Sequence, residues 1–115
     1  MFLSTVDGRY WVELFDQTTA DWEGLRMNHA VGGYFGRALR DRLAKPPGEL
    51  AEARFFSLRD RRAEPVSTAM MLHGRISIGV GPSNRTPFPQ YIEDYRILAR
   101  RLAVSFSTSC YPYGR

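Results

Sequence analysis

Residues 53–80 read ARFFSLRDRRAEPVSTAMMLHGRISIGV, and this stretch decides the fold. Three short runs with strand-forming residues follow one another, with turn chemistry between them. The first runs from Ala53 to Arg59 and ends in the charged turn Asp60, Arg61, Arg62, Ala63, Glu64. The second, Pro65 to Leu72, alternates Val66, Thr68 and Met70 with Ser67, Ala69 and Met71. His73 and Gly74 make a tight turn into the third, Arg75 to Val80. Simple alternation there puts Ile76, Ile78 and Val80 on one face and Arg75, Ser77 and Gly79 on the other. The pattern predicts an antiparallel meander with one apolar face that needs a cover.

The cover is supplied downstream. Between about Phe88 and Val104, Tyr91, Ile92, Tyr95, Leu98, Ala99 and Leu102 recur at helical spacing and form one broad apolar arc. Pro89 suits the first turn of that helix, and Glu93, Arg96 and Arg100 take the opposite face. Upstream, Gly8 to Phe15 (GRYWVELF) favours a strand, and Thr18 or Thr19 is placed to cap a short helix through Asp21, Trp22 and Glu23. Gly32 and Gly33 interrupt it. A further helix from about Tyr34 to Ala44 sets Phe35, Leu39 and Leu43 at spacings of four, and Lys45, Pro46, Pro47 and Gly48 end it. The fold class expected is α+β: an antiparallel meander of three or more strands packed against two or three helices.

The length of 115 residues suits one hydrophobic core, so a single domain over residues 1–115 is expected. Hydrophobic residues at 43% and charged residues at 24% describe a globular chain. No secretory leader is read in Met1 to Leu14, which holds Asp7, Arg9 and Glu13, and no run is apolar enough to span a membrane. With Cys110 as the one cysteine, a reducing cytoplasmic setting is expected. The net charge is +4, and Lys45 is the single lysine among 16 cationic residues. Arginine suits phosphate, carboxylate and aromatic surfaces, so an anionic partner fits, although GC-rich coding accounts for the same bias.

Three segments together resemble the C-terminal region of the PcfJ-like family, proteins of plasmids, phages and other mobile elements. They are Asn28-His29-Ala30-Val31-Gly32-Gly33-Tyr34, then Phe55 to Asp60 with Glu64-Pro65-Val66-Ser67-Thr68, then Gly79-Val80-Gly81-Pro82-Ser83-Asn84-Arg85-Thr86-Pro87. The family motif residues carried over are Asn28, His29, Gly32, Gly33 and Tyr34. Ala30 stands where the family carries cysteine, and alanine offers neither a thiolate nor a metal ligand. The resemblance implies a mobile-element origin and a fold, and little mechanism.

No catalytic set is read from the residues. His29 lacks an oriented nucleophile in the sequence, and His73 belongs to a hairpin turn. Histidines at 29 and 73 and a cysteine at 110 do not have metal-ligand spacing, so no metal and no cofactor is expected. The loop from Gly79 to Pro89, between a strand and a helix, is the best candidate surface, with Asn84 and Arg85 in it. The other candidate binding residues are Arg59, Arg61 and Arg62 around the first hairpin turn, Arg96 and Arg100 on the last helix, and Tyr111 and Tyr113 in the tail.

These observations lead to one principal expectation and two alternatives. The first is a phage or mobile-element binding protein in the cytoplasm of a bacterial host, without enzymatic activity, contacting a host protein or ribonucleoprotein complex. An inhibitor of a host defence system, of the anti-CRISPR kind, is one form of it. The first alternative is an RNA- or DNA-binding domain using an arginine-rich face that also includes Arg37 and Arg40. The second is a small enzyme centred on His29 and Asn84. No membrane partner is expected.

Overall fold

A computed structural model describes residues 2–85 and 89–106. Five strands form one antiparallel sheet in sequence order: β1 Phe2–Ser4, β2 Tyr10–Glu13, β3 Arg54–Arg59, β4 Pro65–Leu72 and β5 Arg75–Val80. Helices α1 Gln17–Met27 and α2 Val31–Leu43 lie between β2 and β3, and α3 Ile92–Leu102 follows β5. The expected α+β meander is therefore present, extended at its edge by the β1–β2 hairpin.

The tight hairpins follow from local backbone chemistry. Asp7 and Gly8 between β1 and β2, and His73 and Gly74 between β4 and β5, all take positive φ, as the two-residue turns matching strand twist require. The β3–β4 turn is held by Asp60, whose Oδ1 accepts from the backbone N–H groups of Arg62 at 2.8 Å and Glu64 at 3.1 Å.

Both faces of the sheet are apolar, not one. On the first face Trp11, Phe56, Leu58, Ala69 and Ile76 pack against Tyr91, Tyr95, Leu98 and Ala99 of the α3 region. On the second, Leu14, Phe55, Met70 and Leu72 pack against Ala20, Val31, Phe35 and Ala38 of α1 and α2. The expected shared face of Ile76, Ile78 and Val80 is corrected by a bulge: Met70 pairs with Ile78 but Met71 pairs with Ile76, leaving Ser77 as an extra residue. An inserted residue breaks the two-residue period, so Ile76 turns toward α3 and Ile78 toward α2.

The helices also begin and face differently from the sequence reading. Asp16, rather than Thr18 or Thr19, caps α1, its carboxylate accepting from the Thr19 N–H at 2.7 Å. Gly32 and Gly33 do not interrupt a helix but sit in the first turn of α2. A side chain at Gly32 would strike Asp21, so glycine lets the antiparallel helices approach closely. On α2 the buried residues are Val31, Phe35 and Ala38, whereas Leu39 and Leu43 are exposed. A spacing of four overshoots a 3.6-residue turn by about 40° per step, so a stripe drawn at that spacing drifts off the buried face. Helix α3 starts at Ile92 after a 3-10 turn over Pro89–Tyr91, later than the expected Phe88, and its apolar arc is as read.

Candidate functional site

Strand register brings the segments singled out in the sequence to one end of the sheet. Tyr10 pairs with Arg59, and Thr68 with Val80, so the β1–β2 turn, the β3–β4 turn and the exit of β5 share that end. Helix α1 runs up to it and α2 runs away from it. Side chains tie the parts together: Arg26 donates to Glu64 (Nε to Oε2, 2.8 Å), Asn28 Nδ2 donates to Ser83 Oγ at 3.1 Å, and Arg61 Nε donates to the Asp7 carbonyl at 3.0 Å.

Beneath the α1–α2 junction lies a buried polar relay. Glu23 has no exposed surface, and its carboxylate accepts from Ser57 Oγ at 2.9 Å and from Thr68 Oγ1 at 2.7 Å. Thr68 Oγ1 is also 2.9 Å from His29 Nε2, while His29 Nδ1 faces the Val31 N–H at 3.4 Å. The network assigns the ring proton: Nδ1 accepts, Nε2–H donates to Thr68, and the Thr68 hydroxyl donates to Glu23. Burial holds the His29 imidazolium below its usual range, in keeping with this neutral tautomer. Burial raises the Glu23 carboxyl, opposed by its hydrogen bonds from Thr68 and Ser57 and by Arg59, whose Nη2 is 3.8 Å away.

Next to His29 is a cavity of about 50 Å³. Phe55, Met70 and Val80 form its buried floor, and Ile78 and Thr68 add to its wall. Ala30 and Tyr34 also line it and are exposed, so they mark its mouth. The lining is almost wholly apolar apart from the His29–Thr68 pair.

The candidate residues from the sequence fall into separate groups. Asn28, His29, Gly32, Gly33 and Tyr34 surround the α1–α2 junction. Arg59 is turned inward over the Trp22 ring, 5.2 Å from its centroid, and serves as countercharge to Glu23. Arg61, Arg62 and Arg85 are exposed at the same end, and no ion pair engages them among the described residues. Arg96 and Arg100 lie on the outer face of α3, both paired with Glu93 at 3.7 Å and 3.3 Å. The backbone of Asn84 closes the 3-10 turn Pro82–Asn84. Tyr111 and Tyr113 lie outside the described residues. Among the described residues no three His, Cys, Asp or Glu side chains gather as metal ligands would, and no helix is long and apolar enough to cross a membrane.

Sequence reasoning missed Glu23, Thr68 and Ser57. A signal was present for Glu23: it shares one helical stripe with Ala20 and Met27, both buried, so a carboxylate was bound to point inward. The missed pair Arg9–Asp94 does a structural job at the same end. Asp94 is fully buried, binds Arg9 Nη2 at 2.9 Å and the Thr5 hydroxyl, and ties α3 to the β1–β2 hairpin.

The geometry defines an α+β domain with helices on both sheet faces, in which the β1–β2 turn, the β3–β4 turn, the α1–α2 junction and the exit of β5 gather at one end. No family model, no curated protein and no solved structure matches the chain.

Proposed function

We propose that this chain is a small binding protein of a phage or other mobile element, related to the PcfJ-like proteins, that acts in the host cytoplasm by contact with a host protein or nucleoprotein complex. The observation that carries this reading is the convergence just described: segments more than fifty residues apart in sequence meet at one end of the sheet. Loops held by a rigid sheet are where binding residues concentrate. The exposed Arg61, Arg62 and Arg85, which no ion pair engages among the described residues, offer guanidinium donors to an anionic surface, with Asp7 and Asp60 beside the first two. The relay supports a binding role over catalysis. Both ring nitrogens of His29 face partners, which makes the imidazole a positioning element at the α1–α2 junction and not a free base.

Charge reversal tests the reading. The variants Arg61→Glu with Arg62→Glu, and separately Arg85→Glu, should keep their melting temperature, because exposed loop charges alter stability by about 0.5 kcal/mol at most. Both should lose most of their capture of the host partner in a pull-down from host lysate. Retention of binding by both variants would refute the reading. Fluorescence anisotropy with DNA and RNA oligonucleotides separates the partner classes: phosphate binding weakens steeply as salt rises. A steep salt dependence would transfer the same surface to the nucleic-acid alternative.

A further inference from the structure

We infer that His29 is a proton-operated latch: in its neutral form the ring ties the first turn of α2 to strand β4, and a proton taken up at Nδ1 releases that turn. The latch is a property of the fold and does not depend on the binding reading above. The ring forms a bridge between two elements. Nε2 lies 2.9 Å from the hydroxyl of Thr68 on β4, and Nδ1 faces the N–H of Val31, the first residue of α2, at 3.4 Å. The N-cap residue Ala30 makes no side-chain hydrogen bond, so His29 serves the end of the helix in its place. Gly32 and Gly33 follow at once, and glycine is the weakest helix former after proline, so this turn depends on its attachments.

The network leaves a proton one place to go. The Thr68 hydroxyl gives its hydrogen to the Glu23 carboxylate at 2.7 Å, so toward His29 it accepts, and Nε2 already carries hydrogen. Protonation therefore falls on Nδ1, where the new N–H points at the Val31 N–H. Two donors cannot share that contact, so the imidazolium and the closed turn exclude one another. The surroundings do not hold the charged ring in place either. Phe55, Met70, Ile78 and Val80, from the three neighbouring strands, line the cavity beside it and carry no charge. From α2 the titratable group nearby is Tyr34. From α1 there are Glu23, reached through Thr68 and shared with Arg59 of β3, and Asp21, which lines the open hollow on the outer side of the junction. Among the described residues neither carboxylate forms an ion pair with the ring, and burial disfavours the charged form where it sits. Swinging out to water relieves the charge and takes the anchor of the turn with it. The opening is local, because Phe35 and Ala38 further along α2 stay packed in the core.

NMR of the labelled full-length chain, titrated from about pH 7.5 to about pH 4.5, tests the latch. At the neutral end the ring nitrogens of His29 should show the Nε2–H tautomer. Ring protonation should set in below about 6.5, the value of an unburied histidine, and the Val31 amide should shift with the same midpoint. Hydrogen exchange of the Gly33 and Tyr34 amides, which donate to the Ala30 carbonyl, reports the turn directly. Their protection, corrected for intrinsic exchange, should fall about tenfold for each pH unit below about 6.5 until the folded ring itself titrates, because the open turn takes the proton that the closed one refuses. Protection of Leu98 and Ala99 in α3 should not change. His29→Gln keeps an acceptor for Val31 and a donor for Thr68 without titrating; it should stay folded by its amide spectrum and lose the acid response. Glu23→Gln should retain the response. The latch is refuted by an Nδ1–H tautomer at neutral pH, by protonation of His29 that leaves the Val31 amide unmoved, or by an acid response that survives in His29→Gln. Loss of the response in folded Glu23→Gln would move the proton to Glu23, and equal loss of protection in α2 and α3 would mark global acid unfolding; either result also overturns the latch.

Discussion

Thr68→Val is the sharpest probe of the relay, because it removes one hydroxyl and almost no volume from a side chain that is 3% exposed. The substitution takes the 2.7 Å donor from Glu23 Oε2 and the 2.9 Å acceptor from His29 Nε2–H. Ser57 and Arg59 still serve the carboxylate, so the charge is weakened and not stranded. A hydrogen bond to a charged buried group is worth about 2 kcal/mol, and an orphaned N–H at a partly buried site adds about 1 kcal/mol. The expected loss is thus about 3 kcal/mol, which for a domain of this size lowers the melting temperature by about 10 °C. Circular dichroism melting and urea denaturation measure it, with an unchanged urea slope marking a loss of stability alone. A Thr68→Val protein melting within about 2 °C of wild type would refute the relay.

Three further outcomes follow from the packing and the charges. Gly79→Ala places a methyl 2.8 Å from the Tyr95 ring, which cannot yield because its hydroxyl is 2.6 Å from Ser67 Oγ and donates to the Thr68 carbonyl; thermal melting should show a loss of about 1–3 kcal/mol. Ile76→Asp should abolish cooperative melting because it buries an unpaired charge among Trp11, Tyr95 and Leu98, whereas Ile78→Asp, beside the cavity, should leave a cooperative transition at lower temperature. Glu23→Gln removes a carboxyl whose folded-state value is raised by burial. Such a group contributes stability present below its unfolded value of about 4.5 and lost as pH rises through the raised value. The stability of Glu23→Gln relative to wild type should therefore increase from acid to neutral pH in urea titrations, and a difference independent of pH would contradict the assignment.

The meander was legible because its signals are local. Each strand is a short run of strand-forming residues bounded by turn chemistry, and His73-Gly74 states the turn between two of them. The inward arc of α3 was legible for the same reason, since Tyr91, Tyr95, Leu98 and Ala99 repeat at helical spacing. What was not legible depends on contacts between distant segments. Gly32 reads as a helix breaker in isolation, and only the presence of Asp21 on the neighbouring helix turns it into a close-packing position. The bulge at Ser77 is set by pairing with β4, so alternation within β5 alone assigned Ile76 and Ile78 to one face. The candidate site was half legible. The motif residues around His29 and the cations Arg61, Arg62 and Arg85 could be named, but Arg59 reads as one more loop charge until Glu23 is known to lie beneath it.

Site-specific photo-crosslinking in the host cell shows whether a partner docks at this end of the sheet. A benzophenone amino acid is placed at Arg62 or at Tyr34, both at the end of the sheet where the β3–β4 turn and the α1–α2 junction lie, and in a third variant at the exposed Leu43, at the far end of α2. One shared adduct is expected from the Arg62 and Tyr34 positions and none from Leu43. An adduct formed equally from all three positions, or from Leu43 alone, would contradict it.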